Sequence, residues 1–314
     1  MTAIKERIRR CWSGEVLWEC PLANYSTLKV GGSADAVILP KSKDELVQLV
    51  GRLTAEQLPW RVIGRGSNIL VADQGVDGVV IILGRDFGTI RQLSEATGPQ
   101  LLVEAGCSLT RLSNWCSKRG LSGLEFVIGI PGSVGGAIIM NAGAWGSEIG
   151  QVVRAVELLD PTGQLECWQL TPEDFCYRGW RQPHGKVVVA GVFAVSPDDT
   201  SAINERCQRY AKQRAAKQPK GVASAGSFFK NPPGEAAGRL IEQAGLKGLR
   251  VGGAQVSSVH ANFLINLGTA TADDFQQLMM LVQKKVHEQF AVHLHPEVEF
   301  LGRWDKSDEE PLNE

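Results

Sequence analysis

Between residues 129 and 146 the chain reads GIPGSVGGAIIMNAGAWG, and this stretch restricts the fold more than any other. Six glycines fall in 18 residues, yet the residues between them are mostly apolar, unlike those of a flexible linker. Backbone this bare has two uses. It can form a buried, tight crossing of chain segments, or it can let the main chain approach a large flat ligand and offer it amide donors. A second loop, GRGSNIL at 64–70, poses the same question. It follows a short strand candidate, PWRVIG, but fails the pattern GxGxxG at Ile69, and no helix clearly follows. A plain tight turn fits it, and so does a nest of N–H groups converging on an anion. Two such loops in one half of the chain favour a dinucleotide-like cofactor over two coincidences.

The bulk properties narrow the class. A length of 314 residues suggests about two domains with a sizeable core. A net charge of −1 gives no global field toward nucleic acid or an anionic membrane, so neither is expected as a partner. The seven cysteines contain no CxxC pair and read as reduced thiols, with no metal site expected. The opening MTAIKERIRRCW lacks an apolar segment of signal-peptide type, and no run of 18 apolar residues occurs. A soluble, cytoplasmic, monomeric protein is the expectation.

Along the chain, helices and strands mix. SKDELVQLVGRL predicts a helix with Ser42 and Glu45 as a capping box and Leu46, Leu49, Val50 and Leu53 as its apolar stripe. GVVIIL, LLVEAG and KVVVAGVFAV predict strands covered on both faces. SLTRLSNWCSKRG predicts a helix stopped at Gly120. Six cations and no acid lie between Arg206 and Lys220, and the change of composition marks a candidate boundary. Beyond it, EAAGRLIEQAGL and residues 271–290 predict helices, the second capped by Thr271 and Asp274. AVHLHPEVEF alternates as a strand: Val292, Leu294, Val298 and Phe300 on one face, His293, His295, Glu297 and Glu299 on the other.

Seven motifs occur in order from residue 25 to 302: YSTLKVGGSAD, GRGSNIL, IPGSVGGA, NAGAWG, YRG, GSFFKNP and HPEVEFLG. Together they resemble the UDP-N-acetylenolpyruvoylglucosamine reductase family over nearly the whole chain. The resemblance implies an α+β protein. FAD would lie in a two-subdomain module of the vanillyl-alcohol-oxidase (PCMH) type, and a C-terminal α/β domain would bind a sugar nucleotide. The implied divisions are 1–62 with the returning strand 292–304, then 63–205, then 206–291, with 305–314 a disordered acidic tail. The implied reaction reduces an enolpyruvyl ether with NADPH through FAD.

In that family the serine of GSFFKNP is a proton donor, which implies the role for Ser227. A hydroxyl is a weak acid, but transfer to a carbanion-like enolate is downhill. Arg178 of YRG is implied as a forked donor to the substrate carboxylate and Glu297 as the catalytic glutamate, either protonated or paired with a cation. Implied cofactor contacts are Gly64, Arg65, Gly66, Ser67, Asn68, Ile130, Pro131, Gly132, Gly136, Ile139, Gly143 and Ala144. Implied substrate contacts are Tyr177, Trp145, Arg214, Lys230, Asn231 and Gln255. Arg206, Arg209, Arg214 and Lys217 fall within roughly a 140° arc of an ideal helix, either a face for the diphosphate or a solvated charge run.

Two residues depart from the family pattern. Trp145 stands where tyrosine is frequent, and Trp180 where the motif often has serine. The short path from Arg178 to KVVVAGVF resembles the subtype without an inserted substrate-covering loop. Other readings are a metal site on His293, His295 and Glu297, a flavin oxidase of the same fold, and a non-catalytic sugar-nucleotide binder.

Overall fold

The computed structural model describes residues 3–95, 98–181 and 185–304, so the acidic tail expected at 305–314 lies outside the described residues. In chain order its helices are α1 (Ala3–Cys11), α2 (Lys43–Ala55), α3 (Leu109–Ser117), α4 (Val134–Ile139), α5 (Ile149–Val152), α6 (Thr200–Lys217), α7 (Ala237–Gln243) and α8 (Ala272–Phe290). The chain condenses into two compact units, each assembled from three separate segments. Unit 1 takes residues 1–16, 38–65 and 80–217; unit 2 takes 17–37, 66–79 and 218–314.

Unit 1 is built on a five-stranded antiparallel sheet. Its order is Leu165–Gln169, Val153–Leu159, Val187–Ala194, Gly98–Glu104, Ile90–Glu95. The central strand is the apolar run VVVAGVFA, buried along most of its length, as a strand covered on both faces must be. At Gly191 a Cβ would lie 2.7 Å from Ile138 Cδ1, so the missing side chain is what lets α4 lie against the sheet. The Ser42 side chain caps α2 by accepting from the Glu45 N–H, and Leu46, Leu49, Val50 and Leu53 are all buried beneath it. Lys43 at its start is 2.6 Å from Glu157 of the sheet. The cationic run up to Lys217 lies on one continuous helix, α6, with only Ile203 buried.

Unit 2 pairs Leu17–Pro21 with Ser33–Ile38 antiparallel and carries a second antiparallel sheet in the order Ala223–Ser224, Leu264–Asn266, Ala254–Val256, Arg250–Val251. Its core gathers Phe228, Phe229, Leu240, Ile241, Phe275, Leu278, Val282 and Val286 with Leu28 and Leu70 from the early segments. The expected capping box of α8 is present: Thr271 Oγ1 accepts from the Asp274 N–H, and Asp274 returns a carboxylate to the Thr271 N–H. Asp73 adds a second cap, its two oxygens accepting from the Ala272 and Asp273 amides at 3.0 Å.

AVHLHPEVEF is shorter as a regular strand than its alternation predicts. Only Glu299–Leu301 forms a ladder, parallel to Ile69–Val71. Pro296 has no N–H to donate, and the residues before Glu299 pair through a single bridge between Phe229 and Pro296. The alternation of burial survives: Leu294 and Val298 are buried, while His293 and His295 are exposed.

Candidate active site

Ser227 sits in a loop whose neighbours cannot move freely. Gly226 before it has φ +81°, a conformation open mainly to glycine. Phe228 and Phe229 after it are fully buried, edge to face with centroids 5.6 Å apart. Asn262, itself buried, holds both ends of the Phe229 peptide group, accepting from its N–H at 2.9 Å and donating to its carbonyl at 2.8 Å. Half-buried Ser227 is thereby displayed on an immobile backbone.

The same loop is stitched to the segment carrying Glu297. The Glu297 N–H donates to the Phe228 carbonyl at 2.8 Å, and the Lys230 N–H donates to the His295 carbonyl at 2.8 Å. Asn68 joins them: its side-chain amide donates to the Glu297 carbonyl at 2.9 Å, and its own carbonyl accepts from the Glu299 N–H. Ser227, Glu297 and Asn68 are thus brought together within unit 2. The Lys230 ammonium makes no ion pair among the described residues. Asn231 caps α7 by accepting from the Ala237 N–H at 3.0 Å. Gln255 stands opposite Ile265, which on its other side pairs with Ser224.

GRGSNIL is divided between the units after Arg65. In unit 2, Gly66 has φ +60°, and a Cβ there would fall 1.8 Å from the Tyr25 carbonyl oxygen. Its own carbonyl accepts from the Thr27 N–H at 2.9 Å, so YSTLK is the shelf on which this loop rests. In unit 1, a Cβ on Gly64 would fall 2.2 Å from Ser133 Oγ, which makes the two glycine loops neighbours.

The long glycine segment is more regular than its composition predicts: residues 134–139 form α4. The Val134 and Gly135 amides are spent on the Cys107 and Ala105 carbonyls, both at 2.9 Å. Pro131, Gly136 and Ile139 are exposed, the last two one turn apart on the helix. Asn141 is fully buried with φ +42°, accepts from the Gly150 N–H and donates to the Cys176 carbonyl. That last bond ties NAGAWG to YRG, since Cys176 precedes Tyr177 and Arg178.

Both motifs end in tight hairpins. Gly143–Ala144 pairs with Ser147–Glu148 around Trp145, φ +60°, and Phe175–Cys176 pairs with Gly179–Trp180 around Arg178, φ +55°. Non-glycine residues in this region are uncommon and concentrate where side chains must be aimed. The Arg178 guanidinium carbon lies 5.2 Å from the centre of the Tyr177 ring. Trp180 is buried against Phe175, centroids 6.0 Å apart, and completes the hairpin's own core.

A single cationic face on α6, one of the two readings of that run, is broken up. Arg206 is consumed by Glu125 at 2.7 Å and by Asp198, partners that push its pKa up. Arg209 lies 5.4 Å from the Tyr210 ring centre. Arg214 is turned inward, and desolvation lowers its pKa. His293 of the alternative metal reading stacks on His287 at 3.9 Å, and no group of three or more metal-ligating side chains occurs among the described residues.

The residues of unit 1 fit a dinucleotide cofactor. A Cβ on Gly64 would crowd Ser133, Gly136 and Ile139 leave a bare apolar face, and the buried Trp145 Nε1 and Arg214 Nε have no hydrogen-bond partner among the described residues. Sequence reasoning missed Asn262, Asn141, Ser133 and Tyr210. Each works through a contact distant in sequence, and none stands in a pattern that local spacing would single out.

Comparison with known proteins agrees with this architecture. Residues 218–301 match the model of the UDP-N-acetylenolpyruvoylglucosamine reductase C-terminal domain, and residues 34–167 match an FAD binding domain. The chain is 40% identical over 304 residues to the UDP-N-acetylenolpyruvoylglucosamine reductase of Bacillus pumilus, covering 96% of this chain and 99% of that one. It is 44% identical over 301 residues to that of Trichlorobacter lovleyi, covering 96% and 98%. The crystal structure of the Thermus caldophilus reductase superposes with a TM-score of 0.75 at 38% identity, over 91% of this chain and 98% of that one. From its FAD-binding module to its C-terminal domain, the chain belongs to the UDP-N-acetylenolpyruvoylglucosamine reductase family.

Proposed function

We propose that this α+β flavoenzyme reduces the enolpyruvyl ether of UDP-N-acetylglucosamine enolpyruvate to the lactyl ether of UDP-N-acetylmuramate, a step of peptidoglycan precursor synthesis. The observation that carries the reading is the rigid mounting of Ser227 beside the Glu297 segment, in a chain with the family's full set of motifs. The chemistry FAD supplies when bound is two-electron transfer, with hydride taken from NADPH and delivered to the enolpyruvyl C3.

The chain's own residues do the rest. Ser227 Oγ–H gives its proton to C2, where the adjacent carboxylate delocalises the developing charge. Arg178 offers forked, permanently charged donors to that carboxylate, and its fixed hairpin means little reorganisation when charge appears. Glu297, its main chain held by Phe228 and Asn68, orients the proton-transfer end of the site. Gly64, Arg65, Gly66, Ser67 and Asn68 would receive the flavin pyrophosphate. Ile130, Pro131, Gly132, Gly136, Ile139, Gly143 and Ala144 would line the flavin. Tyr177, Trp145, Arg214, Lys230, Asn231 and Gln255 remain the proposed substrate contacts, and the Lys230 ammonium, without an ion pair among the described residues, suits a phosphate.

A cytoplasmic monomer is part of the same proposal. All seven cysteines are free, which suits a reducing compartment. No helix among the described residues is long and apolar enough to cross a membrane. The test is NADPH oxidation by the FAD-supplemented protein with and without the enol ether. Oxidation that consumes the ether one-to-one supports the reductase; oxidation on oxygen alone replaces it with an oxidase.

A further inference from the structure

Asn141 is fully buried in unit 1, and neither end of its side-chain amide serves its own helix. It follows Met140, the residue that caps α4, with φ +42°. Asparagine enters this left-handed region more readily than most residues that carry a Cβ. Its Oδ1 accepts from the Gly150 N–H at 2.8 Å, and its Nδ2 donates to the Cys176 carbonyl at 3.1 Å. Only one orientation of the amide meets both demands, because an N–H needs an acceptor and a carbonyl a donor.

Both bonds bear on the hairpin that carries Arg178. Cys176 is the last paired residue before the turn Tyr177–Arg178. Gly150 is the floor under Phe175, the first: a Cβ on Gly150 would fall 2.7 Å from Phe175 Cγ. Asn141 thus holds the outgoing strand at one carbonyl and also holds the backbone on which that strand's buried ring sits. The hairpin needs this support. It has two residue pairs, Phe175 with Trp180 and Cys176 with Gly179, and a ribbon so short is marginal at best by itself. No core secures its tip, since Tyr177 is 50% exposed and the Cys176 side chain is exposed. Arg178 at φ +55° adds a backbone conformation that persists only where the surroundings impose it.

We propose that Asn141 is the positioning residue of Arg178: its amide locks the base of the hairpin and so fixes where the guanidinium points. The inference rests on the role given to Arg178 under Proposed function and deepens it. The place requires a donor and an acceptor on one short stem. Aspartate keeps the acceptor and loses the donor; glycine keeps the backbone conformation and loses both. Once the Cys176 carbonyl has no donor, the turn is free to rock, and the guanidinium no longer presents its fork squarely to a carboxylate.

The experiment reads the carboxylate contact by itself. FAD-loaded protein is titrated calorimetrically with UDP-N-acetylmuramate, whose lactyl group carries the carboxylate, and with UDP-N-acetylglucosamine, which lacks it. Wild type, Asn141→Gly, Arg178→Ala and the double variant are compared, with thermal midpoints as the check on folding. Asn141→Gly is expected to weaken the muramate about tenfold and to leave the glucosamine unchanged. Arg178→Ala should lose the same preference. Adding Asn141→Gly to it should weaken the muramate no further, since a residue that acts through Arg178 then has nothing to position. Asn141→Asp, which keeps the Gly150 bond, should fall between wild type and Asn141→Gly, and it carries the same comparison if the glycine variant does not retain flavin.

Equal weakening of both ligands, or a loss that adds in full to that of Arg178→Ala, makes Asn141 a structural residue and overturns the inference. Unchanged binding of both ligands overturns it too. In each of these cases the wild-type preference for the muramate survives, and the reductase reading with it. Wild-type protein without that preference removes Arg178 from the carboxylate and overturns its role and the inference together.

Discussion

Asn262 and Phe229 lie 33 residues apart and share two hydrogen bonds, one in each direction, through a single side-chain amide. The arrangement replaces a strand pairing that the GSFFKNP loop could not otherwise have. Removing it should tell whether Ser227 depends on that rigidity. Asn262→Ala leaves both a buried N–H and a buried C=O unsatisfied and should cost roughly 2–4 kcal/mol in urea unfolding. Turnover should fall while FAD stays bound. Asn262→Asp, which keeps the acceptor only, should fall between the two.

Ser227→Ala separates the half-reactions. Flavin reduction by NADPH should proceed at the wild-type rate, since no proposed role of Ser227 touches it. Reoxidation by the enol ether should slow by about 10²–10⁴, the usual range for a positioned proton donor. Stopped-flow absorbance of the flavin reads both steps, and an unimpaired second step would remove Ser227 from the mechanism.

The two glycine loops should answer alanine differently. At Gly66 the new Cβ meets the Tyr25 carbonyl at 1.8 Å in a left-handed backbone, so Gly66→Ala should destabilise the fold by more than about 3 kcal/mol. At Gly136 the nearest atom, Ser133 Oγ, is 3.7 Å away. Gly136→Ala should therefore leave the thermal midpoint nearly unchanged and weaken FAD instead. Differential scanning calorimetry with flavin titration distinguishes the two.

Alkaline pH should act through buried thiols. Desolvation pushes Cys107 up to about 11 and Cys116 up to about 12 from 9.0. A pKa raised on folding means that the native state holds protons that the unfolded chain has lost. Their contribution is complete below pH 9 and falls as pH rises through the window from 9 to about 11–12, by about 1.4 kcal/mol per pH unit for each thiol. Urea midpoints measured between pH 8 and 11 should decline, and the Cys107→Ala, Cys116→Ala double variant should show a flatter decline even though its stability at pH 8 is lower.

Local signals were legible in the sequence, and long-range ones were not. Ser42 with Glu45 and Thr271 with Asp274 were readable as caps because a capping box spans four residues; the Thr271 box is complete in the structure, while at α2 only the Ser42 half forms and the Glu45 carboxylate accepts from the Lys41 N–H instead. The burial of Leu46, Leu49, Val50 and Leu53 followed from helical spacing alone. The strand at 292–298 was overread, because alternation reports which face is buried and not whether each N–H, absent at Pro296, finds a partner. Trp180 stands out in the sequence only as a departure from the family's serine; its packing on Phe175 is a relationship that a two-residue hairpin creates and composition conceals. The two readings of the cationic run did not include an ion pair for Arg206, because Glu125, its partner, lies 81 positions away.

The interleaved make-up of the two units also sets a timetable for synthesis. Leu17–Val37 and Gly66–Val79 emerge from the ribosome early, but their partners, Gln218 onward, come only after all of Val80–Lys217. At ordinary elongation rates that wait is on the order of ten seconds. The edge Ile69–Val71 stays unpaired until Glu299–Leu301, later still in the chain, arrives. A nascent chain of this design carries an open strand edge, with Leu28, Val30 and Leu70 of the core uncovered beside it, until the late segment arrives, the kind of exposure that favours misplaced pairing.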